Sequence, residues 1–127
     1  MEIKLEEMVE KISFWAEEKK AERIKVYDVR NRSDYTDMIM VCEGSGDLHN
    51  RAIAQNILDM AKENSIYVLG KEGMDKGTWI LIDLVSVIVH VFDRATREHY
   101  DLEELWEVSD KIRKQQTMDS DQVEIEN

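Results

Sequence analysis

Five consecutive apolar residues, Met38 to Cys42, place the strongest constraint on the fold of this chain. A strand formed by this run cannot keep one face in water, so it needs a layer of structure on both faces of its sheet. The segment Gly-Ser-Gly-Asp at 44–47 follows the run and predicts N-cap chemistry for a helix. The run therefore predicts a layered fold in which helices pack on a sheet.

Two segments have apolar side chains at three- and four-residue intervals, the spacing of amphipathic helices. They cover residues 3–21 and 48–64. The first carries Trp15 in its apolar stripe and several acidic residues on the opposite face. We expect the stripe to pack inside the domain; a homodimer, in which the stripe packs against a second copy, is the alternative.

Short segments of alternating or continuous apolar residues predict four strands besides the central one. They cover residues 24–29, 66–69, 78–82 and 87–92. Four residues separate the last two strands, which favours an antiparallel hairpin. Residues 70–77 contain three glycines and are predicted to form a loop.

The remaining segments complete the predicted element order. Residues 93–99 are polar and are expected to connect the last strand to a short helix. Asp101 or its neighbour is the predicted cap of that helix, and Trp106 is its expected core residue. The order α-β-β-α-β-β-β-α predicts a single small α/β domain (α+β-like) with a mixed five-stranded sheet and flanking helices. We expect the domain to cover residues 1–108, and residues 109–127 to form a mobile, polar, acidic tail.

Composition narrows the possible partners of this 127-residue chain. Its net charge of −11 disfavours direct binding of nucleic acid and favours a basic partner. Cys42 is its one cysteine, so no disulfide can form within the chain, which fits a cytoplasmic location. The acidic N-terminus does not resemble a signal peptide, and no apolar run reaches the length of about 18 residues that a membrane helix needs.

Several segments, taken in their order along the chain, form a recognisable set. They are 22–30, Asp37 with Gly44 and Ser45, 49–56, Gly70 with Glu72 and Gly73, 79–83, 88–92 and 97–106. Each segment is weak evidence alone, but their order is specific, and together they resemble the ribosomal silencing factor family, also called Iojap-like proteins. The resemblance covers roughly residues 3–106. Gln55 stands where the family usually has an acid, and Val85 and Ser86 stand where a Gly-Asp turn is usual.

The resemblance implies a protein that binds the large ribosomal subunit at ribosomal protein L14. The bound factor would sterically block joining of the small and large subunits and so repress translation under nutrient limitation. It implies no catalysis, no cofactor and no metal, and a fold similar to a degenerate nucleotidyltransferase domain. The partner-binding residues that it favours are Glu72, Gly73, Trp79, Tyr100, Asp101 and Glu104.

Trp79 is the central residue of this predicted interface. On its strand it shares a face with Leu81 and Asp83, where it could pack in a core or lie exposed as an interface anchor. The resemblance favours the interface. Acidic residues around an apolar centre would complement a basic ribosomal protein.

An alternative function is a catalytically inactive nucleotidyltransferase-like domain that binds a nucleotide or another protein. The active enzymes need a Gly-Ser turn and two carboxylates one residue apart on a strand, to hold metal ions. Gly44 and Ser45 are present, but Asp83 stands alone in its strand, and Asp47 is expected to cap a helix. A metal site at His90, Asp93 and His99 is less favoured than a partly buried, hydrogen-bonded His90. His49 is expected to face solvent or to pack against its neighbours. Cys42 is expected to lie in the core.

Overall fold

The computed structural model describes residues 3–31, 33–34, 36–104 and 106. The described strands form one sheet in the order β1-β2-β5-β4-β3. β2 and β5 are parallel, whereas the other neighbouring pairs are antiparallel. The predicted mixed five-stranded sheet with flanking helices is therefore confirmed. The elements are α1 (Leu5–Glu18), β1 (Glu22–Asp28), β2 (Met38–Gly44), α2 (Asp47–Glu63), β3 (Gly70–Glu72), β4 (Trp79–Asp83), β5 (Val87–Asp93) and α3 (Arg94–Tyr100).

The helices α1 and α2 cover one face of the sheet, which we call the helical face. Its core is predominantly apolar, with the buried amide of Asn50 in α2 as a polar exception, and it includes Ile12 and Trp15 of α1, and Ile57 of α2, all buried. The stripe of α1 is thus buried within the chain, as predicted, and needs no second copy to cover it. A homodimer stays a prediction and would need another surface. The buried sheet residues of the helical face are Met40, Cys42, Ile80, Ile82, Val87, Val89 and Val91.

The opposite side of the sheet, which we call the second face, is partly covered by the chain after α3. Leu102 and Trp106 pack there on a separate cluster of buried side chains. β2 therefore has buried side chains on both faces, and the prediction from its apolar run is confirmed. The buried cluster of the second face is Tyr27, Val29, Ile39, Val41 and Phe92.

The prediction of a strand at residues 66–69 is wrong. The edge strand β3 is formed instead by Gly70–Glu72, which lies within the segment predicted to be a loop. After α2 the chain turns back through a bond from the backbone N–H of Ile66 to the carbonyl of Ala61, at 2.8 Å. Ile66 consequently packs in the core of the helical face and does not pair in the sheet. A three-residue edge strand that starts at a glycine has no apolar alternation that could predict it.

The polar connection predicted at residues 93–99 is also wrong, because the structure forms α3 there. The carboxylate of Asp93 accepts a 2.8 Å hydrogen bond from the backbone N–H of Thr96 and so caps the helix. Asp101 ends α3 in a left-handed conformation, with φ of 46°. Trp106, predicted to be a core residue, is half-buried and packs on the second face. The predicted tail, residues 109–127, lies outside the described residues.

The start of α2 differs from its predicted capping. Gly46 occupies the N-cap position and no side chain makes a cap hydrogen bond, so the expectation that Asp47 caps the helix is wrong. Asp47 instead forms an ion pair with Arg51, one turn further on. His49 has a packing role: its Nδ1 accepts a bond from the backbone N–H of Ser45, and its Nε2 lies 2.6 Å from the carbonyl of Lys19.

The predicted antiparallel hairpin between β4 and β5 is confirmed, and it contains a strained turn. Val85 has φ of 72°, and the backbone N–H of Ser86 donates to the carbonyl of Leu84 across it. A β-branched residue is rare in this left-handed region, because its Cβ substituents crowd the backbone. The carboxylate of Asp83 supports the turn by accepting from the backbone N–H of Val85 at 2.9 Å.

Candidate protein-binding site

The described residues after α3 leave part of the second face accessible along β3 and β4. Trp79, Leu81 and Asp83 alternate along β4 on this side and are half-buried, whereas Ile80 and Ile82 are buried on the helical face. Glu72 of β3 pairs directly with Leu81 and is exposed. We call this surface, together with Tyr100 at the end of α3, the open face. It consists of Glu72, Trp79, Leu81, Asp83 and Tyr100.

Trp79 forms the centre of the open face. Its ring packs on Phe92 of β5, with centroids 5.1 Å apart, and its indole Nε1 donates a 3.0 Å hydrogen bond to Nδ1 of His90. The side chain is nevertheless only half-buried. Trp79 is therefore held by the fold on one side and accessible on another, an arrangement that suits an interface anchor. Its role in partner binding stays a prediction.

Tyr100 extends the aromatic surface beyond the sheet. Its ring lies 5.0 Å from that of Trp79, although the two residues belong to different elements. The side chain is 52% exposed, a large fraction for an aromatic residue that already contacts another ring. The structure thus brings together two of the residues that the family resemblance favoured, as one aromatic pair that is half-buried at Trp79 and exposed at Tyr100.

The three predicted acidic residues are all exposed, but they lie on different segments. Glu72 is on β3, Asp101 directly follows Tyr100, and Glu104 lies one turn beyond it. The backbone N–H of Glu104 donates to the carbonyl of Asp101 at 3.2 Å, which fixes the local turn. These carboxylates add negative charge around the aromatic pair without taking part in its packing.

Gly73 has a structural role that the sequence did not predict. It has φ of 86°, and a Cβ atom at this position would overlap the backbone oxygen of Trp79. Glycine is therefore required for the loop to approach β4 so closely. Direct contact of Gly73 with a partner stays a prediction.

His90 lies beneath the aromatic pair and is hydrogen-bonded, as predicted, but it is buried more completely than the predicted partly buried histidine. It is 6% exposed, and its ring is nearly parallel to that of Phe92, with centroids 5.8 Å apart. Burial lowers the pKa of His90 to about 4, so the ring is neutral near pH 7. Because Nδ1 accepts the bond from Trp79, the ring hydrogen is assigned to Nε2.

Sequence reasoning missed a buried ionic network beside this site. Glu43 follows the apolar run on β2, and its carboxylate contacts three arginines: Nη1 of Arg23 at 3.1 Å, Nε of Arg94 at 3.1 Å and Nη1 of Arg97 at 3.2 Å. Arg97 is buried like Glu43, whereas Arg23 and Arg94 reach the surface. The only signal in the sequence was an acid at the end of a strand that is otherwise buried.

Arg97 connects this network to the segment after α3. Its Nε and Nη2 donate to the carboxylate of Glu103 at 2.6 and 2.9 Å, and Nη1 also donates to the backbone carbonyl of Arg23 at 2.9 Å. Glu103 accepts a further bond from the hydroxyl of Tyr27 at 2.6 Å. The network therefore fastens α3, which ends at Tyr100, to β1 and β2.

Arg97 and Glu103 keep their charges despite burial. Burial alone would raise the pKa of Glu103, but hydrogen bonds from Arg97 and Tyr27 outweigh it and hold the pKa below its usual range. Burial alone would lower the pKa of Arg97, but the contacts with Glu103 and Glu43 outweigh burial and raise the pKa above its usual value. Arg97 and Glu103 are thus both ionised near pH 7.

The candidate residues for a metal or a nucleotide are not gathered into a site. Asp93 caps α3, His90 is bonded to Trp79, and Asp83 accepts from the hairpin backbone. Within the described ranges, no group of three or more His, Cys, Asp or Glu side chains is placed to hold a metal ion. Nor does any helix in that part of the chain have the length and apolar character needed to cross a membrane.

Comparison with known proteins identifies the family. The model of the family described as "Ribosomal silencing factor during starvation" matches residues 2–127. The chain belongs to this family. It is 42% identical over 90 residues to ribosomal silencing factor RsfS of Bacillus subtilis, covering 71% of this chain and 76% of that protein. The ribosomal silencing factor fold also agrees with solved structures. A crystal structure of a Chromobacterium violaceum protein has a TM-score of 0.80 and 28% identity, covering 82% of this chain and 87% of that one.

Ribosomal silencing factor relatives extend to mitochondria. The mouse protein named "Mitochondrial assembly of ribosomal large subunit protein 1" is 32% identical over 89 residues, which cover 68% of this chain and 39% of the mouse protein. The family assignment supports a ribosome-associated silencing role for this chain.

Proposed function

We propose that this ribosomal silencing factor binds ribosomal protein L14 on the large ribosomal subunit through the open face. The bound factor then sterically blocks joining of the small subunit and represses translation in the cytoplasm when nutrients are limiting. The observation that supports this proposal is the aromatic pair of half-buried Trp79 and exposed Tyr100, which lies on a sheet face that the described residues leave accessible.

The chemistry of the open face suits a protein partner. Tryptophan and tyrosine are enriched among the residues that contribute most to binding energy, because they bury a large apolar area with few rotatable bonds. Glu72 and Asp101 lie exposed near the pair, and the whole chain carries a net charge of −11. These charges favour a basic partner surface and accelerate its approach.

We also propose that the chain acts by binding and not by catalysis. Asp83, the carboxylate that a nucleotidyltransferase would pair with a second acid, has Leu81 and Val85 at the alternate positions and serves the hairpin turn. Gly44 of the Gly-Ser turn packs closely against His49 and Asn50. These contacts give the turn a structural explanation, so they do not favour the alternative of a nucleotide-binding domain.

The decisive experiment compares two exposed tyrosines. We expect Tyr100→Ala to weaken binding of purified L14 and of large subunits, whereas Tyr67→Ala leaves both unchanged. Tyr67 is a matched control because it is 68% exposed and lies before β3, beside α2 rather than on the open face. Trp79→Ala should weaken binding by about 2 kcal/mol or more, which is roughly thirtyfold. Affinity is measured by calorimetry with L14 and by co-sedimentation with each subunit.

Three outcomes would contradict the proposal. The first is equal recovery of the wild-type protein with small and large subunits, or recovery with neither. The second is equal loss of binding in the Tyr67 and Tyr100 variants. The third is a Trp79→Ala protein that melts at a much lower temperature while its folded fraction binds L14 normally, since Trp79 would then be a core residue only.

A further inference from the structure

We infer that His90 is a positioning residue for partner binding: its Nδ1 atom fixes the orientation of the Trp79 indole before the partner arrives. This inference rests on the proposed function, because it concerns the same open face. It assigns to a buried residue, which cannot itself touch L14, a measurable effect on the affinity for L14.

The geometry places an immobile acceptor beneath an accessible anchor. Trp79 and His90 lie on neighbouring strands, and the bond from the indole Nε1 to the imidazole Nδ1 is 3.0 Å long. The imidazole is itself held by ring contacts with Phe92 at 5.8 Å and with Trp106 at 5.6 Å. A rigid acceptor therefore selects one orientation of the half-buried indole.

The chemistry of the two rings makes this bond directional. An indole has a single N–H donor and no acceptor. The Trp79 N–H can therefore donate to Nδ1 of His90 only if that nitrogen carries no proton. The buried imidazole stays neutral near pH 7, as its lowered pKa indicates. Nδ1 of His90 is consequently available as an acceptor near pH 7.

Fixing Trp79 in advance should strengthen binding because less side-chain freedom is lost when the partner docks. Ordering one side chain at an interface reduces affinity by about two- to tenfold. We therefore expect loss of the Nδ1 acceptor to weaken L14 binding by about that factor, far less than the roughly thirtyfold loss expected when Trp79 itself is truncated.

The test uses two substitutions of His90. His90→Phe keeps an aromatic ring beside Phe92 but removes the acceptor, and we expect its affinity for L14 to fall about two- to tenfold. His90→Asn places an amide oxygen close to the position of Nδ1, and it should bind L14 more tightly than His90→Phe does. In a Trp79→Phe background, which has no indole donor, His90→Phe should cause no further loss of affinity.

A measurement on the wild-type protein makes the inference independent of how well the variants fold. In ¹⁵N-labelled protein, NMR should detect a scalar coupling between the Trp79 Nε1 and the His90 Nδ1 nuclei across the hydrogen bond. The imidazole nitrogen shifts should show an unprotonated Nδ1 at pH 7. Absence of the coupling, or a proton on Nδ1 at that pH, would overturn the inference.

The binding measurements separate this inference from the proposed function. If the wild-type protein does not bind L14 at all, the proposed function fails, and the effect on affinity fails with it. If the wild-type protein binds L14 and a folded His90→Phe protein binds equally well, only the inference is overturned. An equal loss in the Trp79 and Trp79→Phe backgrounds also overturns it, because His90 would then act without the indole.

Discussion

The two faces of the sheet are covered in different ways. The helical face is closed by α1 and α2 with apolar side chains and one buried amide, that of Asn50, whereas the second face combines a small apolar cluster with the ionic network of Glu43, Arg97 and Glu103. An apolar core depends on volume and tolerates replacements of similar size. A buried ionic network depends on every partner being present, because a charge left alone in the interior is strongly destabilising.

This difference matters for the proposed binding site because the network holds the segment that carries Tyr100. Arg97 and Glu103 lie on either side of Tyr100 in sequence, and both are bonded to groups on β1 or β2. We expect the helical face to determine most of the stability, and the network to determine where the aromatic pair is displayed.

The largest expected effect comes from Arg97→Met. Methionine approximates the length of the side chain but leaves Glu43 and Glu103 without their buried partner, so the free energy of unfolding should fall by about 3–5 kcal/mol. Arg94→Met is the matched control. Arg94 also bonds Glu43, but its side chain is 64% exposed, and exposed pairs contribute at most about 1 kcal/mol. Urea denaturation measures both, and equal losses would contradict the distinction between the buried and exposed arginines.

A substitution on the helical face should follow the rules of an apolar core. Ile57 is fully buried, and Ile57→Ala should lower the free energy of unfolding by about 2–5 kcal/mol, whereas Ile57→Val should lower it by about 0.5–1.5 kcal/mol. The same denaturation series measures this graded response. If Ile57→Val were as damaging as Ile57→Ala, the helical face would not respond to lost volume as we expect.

The second face should also confer a pH dependence on stability. The unfolded chain binds a proton at His90 below about pH 6.5, whereas the folded chain does so only near pH 4. Stability is therefore lost as the pH falls from about 6.5 to 4, by at most about 3 kcal/mol. The lowered pKa of Glu103 acts in the same direction, with a loss as the pH falls through its folded value. Thermal melting across this range should show a flatter profile for His90→Phe; an unchanged profile would contradict the assignment to His90.

The smallest effect is expected at the hairpin that joins β4 to β5. Val85→Gly should raise the free energy of unfolding by about 1 kcal/mol, because relief of the strain at positive φ exceeds the extra backbone entropy of glycine. Val26→Gly is the matched control, since Val26 is a partly exposed valine inside β1 and glycine should destabilise it there. A lower melting temperature for Val85→Gly would show that the turn is not strained.

Elements that bury apolar side chains could be predicted from the sequence, because burial leaves a periodic pattern. That pattern identified α1, α2, β2 and the hairpin. It could not identify α3, whose buried residue is the charged Arg97, nor β3, which is a short edge strand. At the site, the family resemblance pointed to Trp79 and Tyr100. Their contact, and the pairing of Arg97 with Glu43 across 54 positions, depend on the tertiary fold and leave no local signal.

The network has a consequence for the order of events during synthesis. The bond from Tyr27 to Glu103 joins residues 76 positions apart, and the bond from Arg97 to the backbone of Arg23 spans 74. Contacts of such long range cannot form until the later partner has left the ribosomal exit tunnel. A ribosome that is still making this protein therefore carries a nascent chain whose Tyr100 is not yet held against Trp79. The surface that we propose to act on ribosomes is completed only when nearly the whole described chain has been released to fold.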